Sequence, residues 1–220
     1  MSPRINFENE LAELNNSVSE MALRIERTYE RLFVVLQGKQ EEEIVKIIKN
    51  DKIFSDMQRN IESKCLFLIT KQQPLARDLR VVTASLKVVT DMERVGDHVS
   101  DMAELLLRLK MQDLSGFSTH LEPMIEATKV MVHDAVEAFV NRNQQAAEEV
   151  IAEDDTVDEL FNKVKEDVIE MLKKEKREQD ECVDVLMLAK YLEKIGDHAV
   201  NIGEWEIFKE TGNMRDVRLL

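Results

Sequence analysis

The stretch Asp91-Met92-Glu93-Arg94-Val95-Gly96-Asp97-His98 returns 100 residues later as Tyr191-Leu192-Glu193-Lys194-Ile195-Gly196-Asp197-His198. Both copies read Glu, basic, aliphatic, Gly, Asp, His, and the register still holds at Glu104 and Glu204. Internal duplication is the simplest origin of such self-similarity, so whatever one half of the chain builds, the other builds again. On an α-helix, at roughly 100° per residue, Glu93 and Asp97 lie about 40° apart and Glu104 falls between them, which puts three carboxylates on one stripe. Val88, Val95, Val99, Met102 and Leu106 gather on the far side of that helix, and Leu188, Leu192, Ile195, Ala199 and Ile202 repeat the apolar face. The acidic stripe is therefore expected to face away from the core. Like charges at i and i+4 cost an isolated helix about 0.2–0.5 kcal/mol, so a pair kept twice invites a compensating cation. Acidic faces on surface helices are common, and the spacing alone does not make a metal site.

Working outward, only 6 Gly and 3 Pro in 220 residues leave few places to interrupt helices, and 44% hydrophobic with 34% charged residues points to an all-α protein. A formal charge of −14 repels phosphate backbones, and no basic helix or Arg-rich run offsets it, which argues against nucleic-acid binding. The N-terminal residues lack the apolar run of a signal peptide, and no later window approaches 18 uncharged apolar residues, so a cytoplasmic protein without membrane insertion is expected. Cys65 and Cys182 sit inside helical patterns without a CxxC partner and read as buried reduced thiols rather than zinc ligands.

Three-and-four spacing of apolar residues predicts a first helix over 5–37, closed by Gly38, and a second from Glu41 through Ile69. Pro74 is expected in the first turn of a third helix that carries the first signature to about Met111. Asp113 to Ser118 is the best turn signal, and it divides the chain into repeats 1–114 and 115–220. Thr119 with Glu122 reads as a capping box for the fourth helix, Asn143 caps the fifth, and the sixth runs from near Gln179 to Gly212. Each half is thus three long helices joined by short connections, and the fold expected is two pseudo-repeated antiparallel three-helix bundles. Gly96 and Gly196, costly inside helices, are expected to serve close packing.

A third acidic pair, Asp154 with Asp158, stands one turn apart in the fifth helix; at the matching place of the first half Asp51 is kept, but Ser55 replaces the second acid. Carboxylate clusters without thiolates favour hard or borderline cations such as iron, manganese or magnesium. His98 and His198 lie about 100° from the neighbouring Asp97 and Asp197 and so off the stripe. They are expected to hydrogen-bond between helices rather than to ligate. His120 and His133 show no metal-ligand spacing and read as helix-surface residues. No nucleophile, phosphate-binding glycine loop or acid–base pair stands out.

Taken together, Pro74 to Arg80, Asp91 to His98 and Glu193 to Asn201 resemble the PhoU family of phosphate-signalling proteins over nearly the whole chain. The resemblance implies a non-enzymatic, cytoplasmic negative regulator of phosphate uptake and the phosphate-starvation response that links a phosphate ABC transporter to a sensor histidine kinase, with a homodimer expected. It also implies divalent or trivalent metal ions, iron first and zinc, manganese or magnesium next, held through Glu/Asp-x-x-x-Asp motifs. The matching residues are Glu93 with Asp97, Glu193 with Asp197, Asp154 with Asp158, and Asp51 alone of the fourth motif. Two other readings stay open. A metal-independent helical adaptor needs only solvated stripes, whereas a di-metal carboxylate oxidase or iron-storage bundle needs an inward-facing Glu-x-x-His that this chain lacks.

Overall fold

The structure, a computed structural model, describes residues 3–36, 41–49, 51–109, 114–174, 178–214 and 217–218. Seven α-helices account for nearly all of them: α1 (Pro3–Leu36), α2 (Glu41–Lys49), α3 (Asp51–Gln72), α4 (Arg77–Arg108), α5 (Leu121–Asn141), α6 (Gln144–Lys173) and α7 (Gln179–Thr211). The span read as one helix after Glu41 is two, α2 and α3, on either side of position 50, which lies outside the described residues, as does Gly38. After α7 the chain forms a small antiparallel hairpin, β1 (Asn213–Met214) with β2 (Val217–Arg218), pairing Asn213 with Arg218 and Met214 with Val217.

The fold is all-α and doubled, as the repeat demands. In the first half α1, α2 and α3 pack on α4; in the second α5 and α6 pack on α7; and α4 and α7 lie against each other as the shared centre. Burial shows the repeat at side-chain level. Phe54, Ile61 and Cys65 of α3 are buried, and so are their counterparts Val157, Val164 and Val168 of α6. On α6 the buried residues are confined to Ala147, Val150, Val157, Val164 and Val168, a narrow seam turned toward α7 and α5. The outer helices therefore present one face to the core and the rest to solvent.

The helix ends separate what local chemistry dictates from what packing decides. Asn143 caps α6 as expected, its Oδ1 accepting the Ala146 N–H at 3.1 Å, and Gly212 closes α7 in the left-handed conformation at φ 79°. The capping box at Thr119 does not form: the His120 N–H is taken by Ser118 Oγ at 3.1 Å, and that hydroxyl donates to Asp167 of α6 at 2.6 Å. Nor does Pro74 enter a helix. Gln73 and Ala76 flank it with φ of 46° and 47°, and α4 starts only at Arg77.

Candidate functional site

In the second half the signature of α7 is met by α6. The approach does not need the glycine expected to permit it: a Cβ at Gly196 would make ordinary contacts, 3.4 Å from Val157 Cγ1 and 3.6 Å from Asp154 Oδ1. Asp154 thus lies directly over Gly196, with Glu193 a turn before and Asp197 next to it in sequence. Burial raises the Asp154 carboxyl above the ordinary aspartate range, and the negative charges of Asp158, Asp197, Asp155 and Glu193 raise it further. Glu193, only 15% exposed, is paired to Lys190 at 2.6 Å and Lys194 at 3.3 Å, and Lys194 also binds Asp197. That second contact is the main cause that lifts the Lys194 pKa. Acidic groups here outnumber the ammonium groups that offset them, and a carboxyl made more basic by its anionic neighbours is a group for which a metal ion can substitute a proton. The oxygen-only donor set suits a hard or borderline cation.

The first half is built alike but furnished differently. Phe54 of α3 presses its ring on Gly96, and Ser55 Oγ donates to Glu93 Oε1 at 2.9 Å where Asp158 stands in the other repeat. Arg94 covers Asp97 at 3.2 Å and Glu93 at 3.8 Å. Asp51 opens α3, and its side chain lies outside the described residues. By sequence the first half carries one fewer carboxylate than the second, and Ser55 already satisfies one oxygen of Glu93.

Two expectations about the stripe need correction. It does not simply face solvent: Glu93 and Glu193 are 13% and 15% exposed because α3 and α6 lie along it. A helical wheel shows the side opposite the core, not the neighbours that flank a helix in a bundle. Glu104 and Glu204 also lie seven residues beyond Asp97 and Asp197, a rise of roughly 10 Å, too far to share an ion with the Glu/Asp pair. Among the described residues the stripe oxygens do not gather three at a time within 4.8 Å, so an ion shared between α6 and α7 requires side-chain rotation.

The histidines of the signature do what their off-stripe position suggested. Helices α4 and α7 run antiparallel, so each motif meets the other in reverse: Asp91 Oδ1 pairs with His198 Nδ1 at 2.9 Å and accepts from Asn201 Nδ2 at 3.0 Å. At the matching place across the pseudo-twofold axis, Tyr191 lies beside His98 with ring centres 5.4 Å apart, and the two imidazoles are 5.5 Å apart. Burial first, then His198, Arg94 and Lys194, depress His98 to about 4. The exchange of Asp91 for Tyr191 thus gives one polar and one aromatic version of the same joint. The aligned copies display the exchange, but not that each residue's partner is in the opposite copy.

It also missed a buried ion pair on the core side of α7. Glu206 and Lys209 are 0% and 3% exposed; they bind each other, and Lys209 Nζ also donates to the Phe139 carbonyl and sits 3.9 Å from that ring. The signal was available, because Glu206 continues the apolar arc through Ala199 and Ile202 at helical spacing.

A doubled helical bundle whose two central helices each carry a Glu-x-x-x-Asp motif, backed in the second half by a further acidic pair, defines a class of duplicated, acidic-motif helical proteins. The PhoU domain matches this chain twice, at residues 18–106 and 121–205, and the chain belongs to the PhoU family. A phosphate-specific transport system accessory protein PhoU homolog of Clostridium acetobutylicum is 34% identical over 212 residues, covering 96% of this chain and 97% of that protein. A homolog of the same description from Methanothermobacter thermautotrophicus is 32% identical over 210 residues, covering 95% and 96%. The crystal structure of the phosphate transport system regulatory protein PhoU from Streptococcus pneumoniae superposes with a TM-score of 0.87 at 26% identity, covering 96% of this chain and all of that one. PhoU from Pseudomonas aeruginosa gives 0.86 at 26% identity, covering 94% of this chain. Among the described residues no helix is long and apolar enough to cross a membrane.

Proposed function

We propose that this protein is a cytoplasmic negative regulator of phosphate uptake and of the phosphate-starvation response, coupling a phosphate ABC transporter to a sensor histidine kinase. The observation that carries the reading is the match of both halves to the PhoU domain, with relatives over nearly the whole length that are accessory proteins of phosphate-specific transport. The protein acts by binding rather than by catalysis: it shifts a partner between states to the extent that it binds one state more tightly. It works as a homodimer and reaches the membrane only through its partners.

Metal ions are part of this proposal, iron first. In the second half Glu193, Asp197, Asp154 and Asp158 hold the ion; in the first, Glu93 and Asp97 with Asp51 hold a weaker one, because Ser55 stands in for a carboxylate. An ion there offsets the carboxylate repulsion that adds to burial in raising Asp154, and it fixes α6 against α7 and with it the surface offered to partners.

In a strain lacking the gene, phosphate uptake in phosphate-replete medium rises and a reporter of the starvation response switches on, and a wild-type copy restores both. Unchanged uptake and reporter in that strain would overturn the regulatory reading. Elemental analysis of untagged protein tests the metal: Asp97→Asn/Asp197→Asn loses bound ion while circular dichroism shows intact helix. Equal metal in variant and wild type removes the stripes as sites and leaves a metal-independent adaptor.

A further inference from the structure

A second group of potential ligands lies on α5, away from the α6–α7 stripe. His133, Asp134 and Glu137 each offer one ligand atom, and these atoms lie within 4.8 Å of one another. Helical spacing explains the grouping, since Glu137 is four residues from His133 and three from Asp134, the two separations that share a helix face. Acidic side chains alone would carry little here. What distinguishes this group is the orientation of its imidazole: His133 Nδ1 sits 2.9 Å from Glu26 Oε1 of α1, and Nε2 points toward Glu137 Oε2 at 3.6 Å. A carboxylate that accepts a hydrogen bond from Nδ1–H holds the tautomer whose lone pair is on Nε2, the arrangement by which proteins aim a histidine at a metal.

We propose that His133 Nε2 and the carboxylates of Asp134 and Glu137 form a site for a borderline divalent cation such as Zn²⁺, with Glu26 as the positioning residue. One nitrogen and two carboxylate oxygens are a donor set for zinc or its neighbours rather than for calcium or magnesium. Access is open: His133 is 55% exposed, and Asp134 stands where a cleft of about 250 Å³ against α1 meets one of about 750 Å³ between α5 and α6. Lys129, the ammonium group beside the smaller cleft, is engaged with Glu126 at 3.7 Å. Because Glu26 comes from α1 and the ligands from α5, the ion ties the first half of the chain to the second.

Protons compete with the cation. The Glu26 hydrogen bond, with added influence from Asp134 and Glu137, raises the His133 pKa, while Glu30, Glu126 and Lys129 face the same cleft. Affinity for the ion therefore falls as pH drops below that raised value.

The test uses chelator-treated full-length Asp97→Asn/Asp197→Asn protein, in which the signature stripes are disabled, titrated with Zn²⁺ while the imidazole carbon-bound proton signals are followed by NMR. With 4 His in the chain, His133 is assigned from its single variant. One equivalent of Zn²⁺ shifts the His133 signals; His133→Gln and Glu137→Gln abolish that event in calorimetry, and Glu26→Gln weakens it about 10- to 100-fold, the range for a residue that orients a ligand. If the His133 signals stay still on adding Zn²⁺, or His133→Gln binds as its parent does, the site is overturned. Failure of the stripes to hold metal leaves this result untouched, so the two assignments fail separately.

Discussion

Gly96 and Gly196 occupy the same place in the two repeats, yet a methyl group added to each meets different neighbours. At Gly96 it would come 2.5 Å from the ring of Phe54, itself 1% exposed, so the ring and α3 must shift. At Gly196 the nearest atom is Val157 Cγ1 at 3.4 Å, an ordinary contact. Gly96→Ala is expected to destabilise by about 1–3 kcal/mol, the usual cost of overpacking a core. Gly196→Ala keeps most of the gain of up to about 1 kcal/mol that alanine brings to a helix interior and is neutral or stabilising. Urea unfolding of the two variants distinguishes them, and an equal loss at both positions would contradict the geometry. The motif showed both glycines, and the close packing expected of them holds at Gly96 but not at Gly196. It could not show the asymmetry, because what rests on each glycine is supplied by α3 in one case and α6 in the other. The same limit hid the Asp91 to His198 contact: a repeat tells which residues correspond, not which ones touch.

Along single helices, α7 carries the sharpest energetic question. Its buried Glu206 and Lys209 bind each other against Phe139, and removing one leaves the other in the core without its partner, forced to stay unpaired or to give up its charge. Lys209→Met should cost about 3–5 kcal/mol, whereas Glu206→Met/Lys209→Met recovers much of that loss, since an apolar replacement of a whole buried pair is often neutral. If the double variant is as unstable as the single one, the pair is not what holds this end of α7. Burial pushes the Glu206 carboxyl up to about 7 from its ordinary 4.5, with Lys209 acting in the opposite sense. The native state then keeps a proton that the unfolded chain releases. The contribution to stability is present below pH 4.5 and lost as pH rises toward 7, a decline that Glu206→Gln removes. Helices themselves were legible wherever a side chain answers a local need. Asn143 and Gly212 act on their own helix termini and were read correctly, whereas the α5 start depends on Asp167 from α6 and the α4 start on two positive-φ residues around Pro74. Tertiary partners set those two, and no local pattern announces them.

On the scale of the whole chain, the two repeats read like separable units, but their contacts bind them into one. Antiparallel α4 and α7 are joined by Arg108 to Asp184 at 2.9 Å, by Asp91 to His198 at 2.9 Å, and by Arg80 to the Lys209 carbonyl at 3.1 Å. Away from that seam, the buried Tyr29 hydroxyl of α1 bonds to Thr128 of α5, and Glu26 of α1 to His133. An isolated first half would expose the face of α4 that packs on α7 and leave Asp91 without His198 and Asn201. Local motifs are thus shared supports, and neither half is expected to melt while the other stays folded. Scanning calorimetry of the full chain should give one transition, with van't Hoff and calorimetric enthalpies equal. Asp91→Ala, which leaves two part-buried donors unmet at the seam, should lower the midpoint of that single transition by an amount corresponding to about 1–3 kcal/mol without splitting it. Two resolved transitions in the wild-type protein would mean that the halves fold independently. In that case neither the α4–α7 seam nor the α1–α5 contacts would couple the halves, and an ion at one repeat could not be felt at the other.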